Sequence, residues 1–289
     1  MLPNVKKVAA IHDLSGYGRA SLTCIIPTLS AMGVQVCPLP TAILSTHSGG
    51  FKDFTFHDLT DIMVDYVAHW KKLGLKFDCV YSGFLGSPRQ CEIVSDIMKD
   101  FRTKSNLIVI DPVMGDNGKL YQSISADMVP KMRKLIDQAD ILVPNYTEAA
   151  LLLKKDSKQN PSLPELKDWL KELSDHGPGT VLITSAPCAD TNKIHTIAYE
   201  RESNNYWKVS TRRINSYYPG TGDIFASVMI GSLLQGDSLP IAIERGVQFI
   251  SQCILTSRSY DYPSRSGVLL EKELHLLRGS CIIRSYEEI

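Results

Sequence analysis

Short apolar runs alternate with segments of helical period along most of this chain, and this alternation restricts the fold more than any other feature of the sequence. Most of the runs are continuously apolar, as expected for strands that are buried on both faces of a sheet. The predicted strands are Val5–Ile11, Val34–Leu44, Phe77–Ser82, Leu107–Val113, Asp140–Pro144 and Val181–Ser185. The pattern predicts an α/β fold with a mostly parallel central sheet covered by helices.

Two of the intervening segments carry apolar residues at helical spacing. One stripe runs from Leu59 to Leu73, and a second helix is predicted to begin at Ser87-Pro88 and to continue to Phe101. A proline after a serine is typical of a helix start, because its missing N–H would have no partner in the first turn. We therefore predict a helix over each segment.

Alternating polarity marks two further strands late in the chain. Lys193–Glu200 and Tyr206–Ile214 lie on either side of Ser203-Asn204-Asn205, which predicts an antiparallel hairpin at the edge of the sheet. The polar segments elsewhere are too short to separate two domains, so we predict a single domain over residues 1–289.

The charge balance excludes several function classes. There are 31 basic and 31 acidic residues, so the formal net charge is zero and no global field attracts nucleic acid or an anionic membrane. The apolar run Val8–Ile11 is too short for a signal peptide, and no stretch approaches the length of a membrane span. We expect a cytoplasmic protein whose partner is a small molecule.

Cysteine and histidine are both scattered along the chain. No CxxC pair occurs, and the seven histidines show no metal-ligand spacing. This distribution argues against a disulfide framework and against a zinc site. We expect reduced core residues at Cys24, Cys37, Cys79, Cys91, Cys188, Cys253 and Cys281.

The glycine-rich turn Tyr218-Pro219-Gly220-Thr221-Gly222-Asp223 runs directly into an apolar segment. Two glycines around a threonine allow backbone N–H groups to approach an anion, and the following helix adds the positive end of its dipole. An acid at an anion-attracting helix start is unusual. We interpret Asp223 as a general base beside a transferring phosphoryl group, and a first-turn cap is the alternative interpretation.

A second glycine-containing segment, Ser15-Gly16-Tyr17-Gly18, follows the first predicted strand. It is similar to the dinucleotide-binding fingerprint, but the third glycine is missing and no acid occurs between Asp13 and Asp53 to bind a ribose. We therefore do not expect a dinucleotide. An acid-free stretch at a strand end is typical of a pocket for a largely neutral, polar ligand, although a buried strand has the same composition.

Acidic and amide side chains follow two further strands. Asp111 directly follows the apolar run from Leu107 to Ile110, and Asp116 lies beyond it. Both carboxylates suit Mg²⁺ or phosphate-linked waters, whereas a surface turn is the alternative for Asp116. Asn145 and Glu148 have the spacing of a helix capping box, which explains them without a function and is also compatible with a network of metal-bound waters.

Common nucleotide-binding motifs are absent from the sequence. No Gly-x-x-x-x-Gly-Lys-Ser/Thr segment occurs, and neither does His-Arg-Asp or Asp-Phe-Gly. A P-loop NTPase and a protein kinase are therefore not expected. Thr184, at the end of another predicted strand, offers a hydroxyl group to phosphate, and strand capping is its alternative role.

Six motifs occur in order between about residue 5 and residue 250. They are Ser15-Gly-Tyr-Gly18, Ser45-Thr-His-Ser-Gly49, Tyr81-Ser-Gly-Phe-Leu-Gly86, Asp111-Pro-Val-Met-Gly-Asp116, Asn145-Tyr-Thr-Glu148 and Gly220-Thr-Gly-Asp223. Together they resemble the ribokinase-like small-molecule kinases and, among these, the pyridoxal kinases. The downstream Gly118-Lys-Leu-Tyr121 favours that group over the hydroxymethylpyrimidine kinases. The resemblance implies a three-layer α/β/α sandwich with an antiparallel edge hairpin.

The resemblance implies ATP-dependent phosphorylation of the 5′-hydroxymethyl group of pyridoxal, pyridoxine or pyridoxamine. Asp223 would take the proton of that group, while the N–H groups of Gly220, Thr221 and Gly222 would form an anion hole. The nucleotide side would comprise Asp111, Asp116, Tyr121, Asn145, Glu148, Thr184, Thr221 and Gly222. Within that set, Asp111 and Glu148 would bind Mg²⁺.

On the substrate side, the resemblance implies contacts from Asp13, Ser15, His47, Ser48 and Phe84. Phe84 stands where the family commonly has a ring-stacking tyrosine, so the stacking face is kept and a hydroxyl is lost. The segment from His12 to Ser15 differs from the Gln-Ser-His form of many relatives. Whether Asp13 or Ser15 contacts the ring is left open.

Family resemblance also implies a homodimer and a monovalent cation such as K⁺. Two rivals remain: a kinase of the same fold acting on hydroxymethylpyrimidine or a sugar, and a catalytically silent vitamin-binding module. The combination of Asp111, Asp116, Glu148 and Asp223 argues against the silent module, because a binding protein has no need of a base beside an anion hole.

Overall fold

The computed structural model describes residues 5–158, 160–279 and 285–289. The described residues divide into two compact units. The first unit comprises the described parts of Met1–Val80 and Ile214–Arg284, and the second comprises Tyr81–Arg213 and Ser285–Ile289. The single domain over residues 1–289 stays a prediction.

Parallel pairing of the first two strands forms the centre of the first unit. β1 pairs in parallel with β2, and the short strand β3 pairs with β2 in the antiparallel direction. A further strand, β4, begins at the end of this unit and runs into the second. The elements are β1 Lys7–Tyr17, α1 Leu22–Ala31, β2 Gln35–Thr46, β3 Phe56–Asp58, α2 Thr60–Lys72, β4 Cys79–Ser82, α7 Thr221–Leu234, α8 Leu239–Arg258 and α9 Leu270–Glu273.

The first strand is longer than the sequence predicts. It continues beyond Ile11 to Tyr17, because β2 pairs with it as far as Thr46. The register shifts between His12 and Leu14, which marks a bulge. Such a bulge re-aims the side chains beside it. The Ser15-Gly16-Tyr17 segment is therefore part of a bulged strand rather than a turn after one.

Burial on all sides fixes the helix that follows the glycine-rich turn. Every residue of α7 from Ile224 to Ser232 is buried. Ile224 and Val228 pack in one apolar cluster with Cys24 of α1 and Phe249 of α8. Because the helix body is held on several faces, its first turn has a defined position.

The helix predicted between Leu59 and Leu73 is confirmed as α2, but its apolar stripe is only partly buried. Met63 and Val67 lie in the core, whereas Ile62 is 55% exposed and Leu73 is 58% exposed. The apolar residues of α2 therefore cover more of its circumference than the core can contact.

The second unit combines parallel strands with an antiparallel edge. β5 pairs in parallel with β8, and β8 with β9, whereas β10, β11 and β12 continue the sheet in antiparallel pairs. The predicted edge hairpin and the predicted helix at Ser87-Pro88 are confirmed. The elements are α3 Pro88–Phe101, β5 Leu107–Ile110, β6 Gly115–Asp116, β7 Lys119–Leu120, α4 Met128–Leu135, β8 Ile141–Leu142, α5 Tyr146–Leu153, α6 Leu163–Asp175, β9 Thr180–Ala186, β10 Lys193–Glu200, β11 Asn205–Arg212 and β12 Tyr286–Glu288.

Each unit thus combines parallel and antiparallel strand pairs with helices, and the fold class predicted from the sequence is confirmed. Six of the cysteines are free thiols, and four of these are buried. Cys281 lies outside the described residues. Among the helices of the described ranges, none has the length and apolar character needed to cross a membrane.

Candidate active site

The glycine-rich turn of the first unit adopts a conformation that requires glycine. Gly220 is the N-cap of α7 and has a φ of +79°. A Cβ atom at this position would lie 2.1 Å from the carbonyl oxygen of Arg19. At Gly222, by contrast, a Cβ atom would meet nothing within 4 Å. The helix start is therefore tightly packed on one side and open at Gly222, as an anion-binding N-terminus requires.

Asp223 lies in the first turn of α7, but it does not cap the helix. The N-cap is Gly220, and the Asp223 carboxylate instead accepts a hydrogen bond through Oδ2 from the backbone N–H of Ser21, at 2.8 Å. Its side chain is 13% exposed, and Oδ1 lies 3.8 Å from Nδ1 of His12. The capping interpretation therefore does not explain the position of this carboxylate.

Burial raises the pKa of Asp223 towards neutral pH. Desolvation and, to a smaller extent, the nearby charge of Asp13 raise the pKa of Asp223 to about 7, against the lowering effect of the Ser21 N–H. Burial also lowers the pKa of His12 to about 3, so this neighbour is neutral. A carboxyl group with a pKa near 7 is suited to general base catalysis at neutral pH.

Asp13 is a second buried acid in the first unit. Its Oδ2 accepts a hydrogen bond from the Ser15 hydroxyl at 3.0 Å, and its Oδ1 accepts one from the Ser21 hydroxyl. Burial raises the pKa of Asp13, while the two serine hydroxyls oppose that shift. The structure thus brings together Asp13, Ser15 and Asp223, with Ser21 between the two acids.

Ser21 has no role in the sequence prediction, although it lies only three residues beyond Gly18. It has a φ of +51° and a ψ of −136°, which non-glycine residues rarely adopt. The only sequence signal was a serine directly before a helix, and that pattern ordinarily predicts an N-cap. Its side chain makes no cap hydrogen bond to α1.

The predicted substrate residue His47 is already bonded within the first unit. Its Nδ1 accepts a hydrogen bond from the N–H of Gly49 at 3.1 Å, so its Nε2 donates to the carbonyl oxygen of Arg265 at 2.8 Å. Its ring also meets Phe51 edge-on at 5.0 Å. These contacts hold the loop that carries Ser48. The substrate contacts of His47 and Ser48 stay predictions.

In the second unit, Asn145 and Glu148 form a complete capping box at the start of α5. The Asn145 side chain accepts from the N–H of Glu148 at 3.0 Å, and Glu148 Oε2 accepts from the N–H of Asn145 at 2.8 Å. The capping interpretation is confirmed. Glu148 Oε1 also accepts from the N–H of Met114 at 3.0 Å, so the same acid fixes the turn after β5.

Two acids of the second unit have raised pKa values. Burial raises the pKa of Glu148 to about 8, and the charge of Asp116 contributes in the same direction. Burial also raises the pKa of Asp116 itself. Asp111 is buried at the end of β5, and its backbone N–H donates to Ser82. Buried acids with perturbed pKa values are candidates for a functional site.

The donor set of this cluster is compatible with Mg²⁺ in an indirect arrangement. No group of three or more His, Cys, Asp or Glu side chains able to hold a metal ion occurs among the described residues. Both oxygens of Glu148 accept backbone N–H groups. Mg²⁺ usually keeps several waters and binds through one or two carboxylates together with substrate phosphates. The residues present therefore fit a magnesium ion only where waters and substrate phosphates supply most of its oxygen ligands.

The remaining predicted site residues lie in the second unit. Thr184 forms a parallel bridge with Asn145, and its N–H donates to Pro144 at 2.9 Å. The N–H of Tyr121 donates to the Met114 carbonyl at 2.9 Å, and Phe84 is buried. The structure thus places Thr184 beside the capping box and Tyr121 against the turn after β5. The ligand contacts of all three stay predictions.

Solved structures of known proteins share this fold along nearly the whole chain. One is a protein of Bacteroides thetaiotaomicron that is provisionally named a phosphomethylpyrimidine kinase and was crystallised with pyridoxal. It is 53% identical, covers 99% of this chain and 100% of its own, and has a TM-score of 0.96. Another is the pyridoxal kinase of Lactobacillus plantarum, at 32% identity with a TM-score of 0.86, covering 95% of this chain and 97% of its own.

Sequence relatives agree with the structural ones. A pyridoxal kinase of Paraburkholderia xenovorans is 28% identical over 86% of this chain and 87% of its own. The fold and the relatives together define a small-molecule kinase of the ribokinase-like class. More narrowly, the chain belongs to the phosphomethylpyrimidine kinase family, whose model matches residues 17–265.

Proposed function

We propose that this chain phosphorylates the 5′-hydroxymethyl group of pyridoxal, pyridoxine and pyridoxamine at the expense of ATP. The observation that carries this proposal is the 53% identical protein, similar over 99% of the chain, whose crystal contains pyridoxal. Relatives named pyridoxal kinase in several organisms support the same substrate class.

Asp223 is the base in this proposal. The substrate hydroxyl gives its proton to the carboxylate as its oxygen bonds to the γ-phosphorus of ATP, and the bond between that phosphorus and the oxygen of the leaving ADP breaks. Because Asp223 Oδ2 is already held by Ser21, the carboxylate has a fixed orientation. The pKa of about 7 leaves a substantial deprotonated fraction at neutral pH.

The N-terminus of α7 supplies the anion hole. Gly220, Thr221 and Gly222 place backbone N–H groups at the helix start, and the open side of Gly222 leaves room for a phosphoryl group. Mg²⁺ would be held by Asp111 and Glu148 and would neutralise phosphate charge. Asp116, Asn145, Tyr121 and Thr184 complete the nucleotide-binding set.

The residues proposed to contact the substrate ring are Asp13, Ser15, His47, Ser48 and Phe84. The buried ring of Phe84 offers a stacking face, and the two serines offer hydroxyl groups. Family resemblance adds a monovalent cation such as K⁺ to the proposal. The composition of the sequence adds a cytoplasmic location.

A homodimer is proposed as the assembled form. In the first unit, the apolar side chains of Ile43, Phe56, Ile62 and Val64 are 39–55% exposed on β2, β3 and α2. Only a contiguous exposed apolar patch marks an interface, so family resemblance carries the homodimer and these side chains are its candidate contacts. Sedimentation equilibrium of the purified wild type and of Ile62→Asp tests the assembly. A wild type that is monomeric at micromolar concentration would contradict the homodimer.

Hydroxymethylpyrimidine is the second candidate substrate, because the matching family is described as phosphomethylpyrimidine kinase. A coupled assay of ADP release separates the candidates when pyridoxal, pyridoxine, pyridoxamine, hydroxymethylpyrimidine and ribose are compared at equal concentration. We expect the highest kcat/KM with one of the three pyridines. A higher value with hydroxymethylpyrimidine or ribose would overturn the proposal, and pyridoxal binding without ADP release would instead support a silent vitamin-binding module.

A further inference from the structure

Two acids of the first unit, the buried Asp13 and the largely buried Asp223, are joined by one serine. The Ser21 N–H donates to Asp223 Oδ2 at 2.8 Å, and the Ser21 hydroxyl donates to Asp13 Oδ1. The other Asp13 oxygen accepts from Ser15 at 3.0 Å. Both oxygens of Asp13 are therefore engaged by protein hydroxyls, and one of those hydroxyls belongs to the residue that holds Asp223.

The backbone of Ser21 is in a conformation that favours glycine. Its φ of +51° and ψ of −136° are unfavourable for any residue with a Cβ atom. The Ser21 carbonyl accepts from Cys24 and Ile25 and so starts α1, but that contact needs no hydroxyl. The serine side chain does not cap α1. The unfavourable backbone and the engaged hydroxyl together point to a role outside the helix.

We propose that Ser21 is a positioning residue for phosphoryl transfer. Its N–H fixes Oδ2 of Asp223, so that Oδ1 is the oxygen left to take the substrate proton, and Asp13 holds this N–H in place through the Ser21 side chain. Asp13 then acts on the reaction through Ser21 rather than by direct contact with the reacting atoms. The inference rests on the proposed function of Asp223 as the base.

The charge of Asp13 also acts on Asp223. The titratable groups that face Asp223 within the first unit are His12 and Asp13 of β1 and Cys24 of α1, and Cys253 of α8 lies in the apolar cluster with Cys24. His12 is neutral because burial lowers its pKa to about 3, and burial raises the pKa of both thiols. Of these four groups, Asp13 is the one whose negative charge opposes ionisation of Asp223.

The test is the variant Ser21→Gly, which keeps the N–H, removes the hydroxyl and relieves the backbone conformation. We expect the melting temperature to stay equal or rise, while kcat with pyridoxal falls about tenfold and KM for ATP is unchanged, because only the orientation of the base is loosened. Ser21→Ala, which lacks the hydroxyl and keeps a Cβ atom, is expected to lose the same activity.

The control is Ser162→Ala, at the N-cap of α6 in the second unit, where the serine side chain does cap its helix. This variant is expected to lose stability and to keep its kcat. A purely structural role for Ser21 predicts that stability and kcat fall together. Ser21→Gly and Ser21→Ala with the kcat of the wild type would overturn the inference.

Asp13→Asn supplies an independent readout, since it removes the charge and keeps the side-chain shape. The acidic limb of the kcat/KM profile is expected to move down by roughly half a pH unit to one unit, because the base loses a like-charged neighbour. An unchanged limb would overturn the part assigned to Asp13. A wild type that releases no ADP with any pyridine overturns the proposed function itself, so the two failures are distinguishable.

Discussion

The backbone N–H of Ser21 donates a 2.8 Å hydrogen bond to Oδ2 of Asp223, a residue 202 positions further along the chain. The carboxylate at the start of α7 is therefore oriented by the segment before α1 and not by its own helix. A helix-capping acid would be bonded within its own first turn. The contact therefore argues against a capping role for Asp223, which the sequence around Asp223 leaves open.

Asp223→Asn and Asp223→Ala are expected to lower kcat by about two to four powers of ten, which is the usual scale for loss of a general base. The affinity for ATP should change little, because the N–H groups of the helix start remain. Steady-state ADP release measures the first quantity, and calorimetric titration with ATP measures the second. Turnover close to that of the wild type would refute the assignment of Asp223.

The activity of the wild type is expected to fall in acid. Asp223 must be deprotonated to accept a proton, and its pKa is about 7. The kcat/KM for pyridoxal should therefore rise with pH up to about pH 7 and then level off. A profile of initial rates between pH 5 and pH 9 checks this, and a limb centred near the ordinary carboxyl pKa would show that another group is titrating.

Asp223→Asn is also expected to stabilise the folded protein at pH 8. The folded pKa of about 7 lies above the ordinary 3.8, so folding loses stability as the pH rises from the lower value through the higher one. The whole difference corresponds to at most about 4 kcal/mol, and residual solvation of the side chain reduces it. The asparagine variant avoids this loss.

Urea denaturation of the wild type and of Asp223→Asn, at pH 4 and at pH 8, measures the stability difference. The gain should be close to zero at pH 4 and largest at pH 8. A gain of equal size at both values would mean that it does not come from the buried charge. A variant that is more stable and inactive would place Asp223 among residues that cost stability for function.

The two glycines of the turn provide a matched pair of variants. Gly220→Ala is expected to cost at least about 2 kcal/mol, because φ is +79° and the new methyl group would lie 2.1 Å from the Arg19 carbonyl. Gly222→Ala should be neutral or stabilising by up to about 1 kcal/mol, since the position is helical and open.

A substitution at Gly222 is expected to lower activity without lowering stability. Its open side is the proposed place of the phosphoryl group, so a methyl group there is expected to lower kcat/KM for ATP by roughly tenfold or more. Thermal unfolding and ADP release on the same two preparations make the comparison. If Gly222→Ala keeps wild-type kinetics, the anion hole lies elsewhere.

Local pattern was sufficient for much of the fold. The helices α2 and α3 and the hairpin of β10 and β11 follow from the spacing of apolar residues and from a proline at a helix start. The length of β1 did not follow, because its extension to Tyr17 depends on pairing with β2. Which strand a segment pairs with is a long-range property that a local window does not contain.

The sequence indicates candidate site residues where a side chain stands out and not where the backbone makes the contact. Asp223 and Glu148 stand out as acids at helix starts, and the capping box of Glu148 follows from its spacing to Asn145. Ser21 acts through its N–H in a conformation rare for serine, and the sequence ordinarily predicts a cap there. The bulge at Asp13 was equally absent from the local pattern.

Glu148 stabilises the start of α5 and the turn after β5 in the second unit. Its removal in Glu148→Ala leaves the N–H groups of Met114 and Asn145 without their acceptor, which is expected to cost roughly 2–5 kcal/mol. Glu148→Gln keeps one acceptor oxygen and should cost less.

The stability of the wild type should also depend on the charge of Glu148. Because the folded pKa of Glu148, about 8, lies above the ordinary 4.5, the charged form destabilises the wild type as the pH rises through 8. Glu148→Gln should therefore lose less stability over that range. Chemical denaturation at pH 6 and pH 9 measures this, and a difference independent of pH would show that Glu148 is ionised throughout.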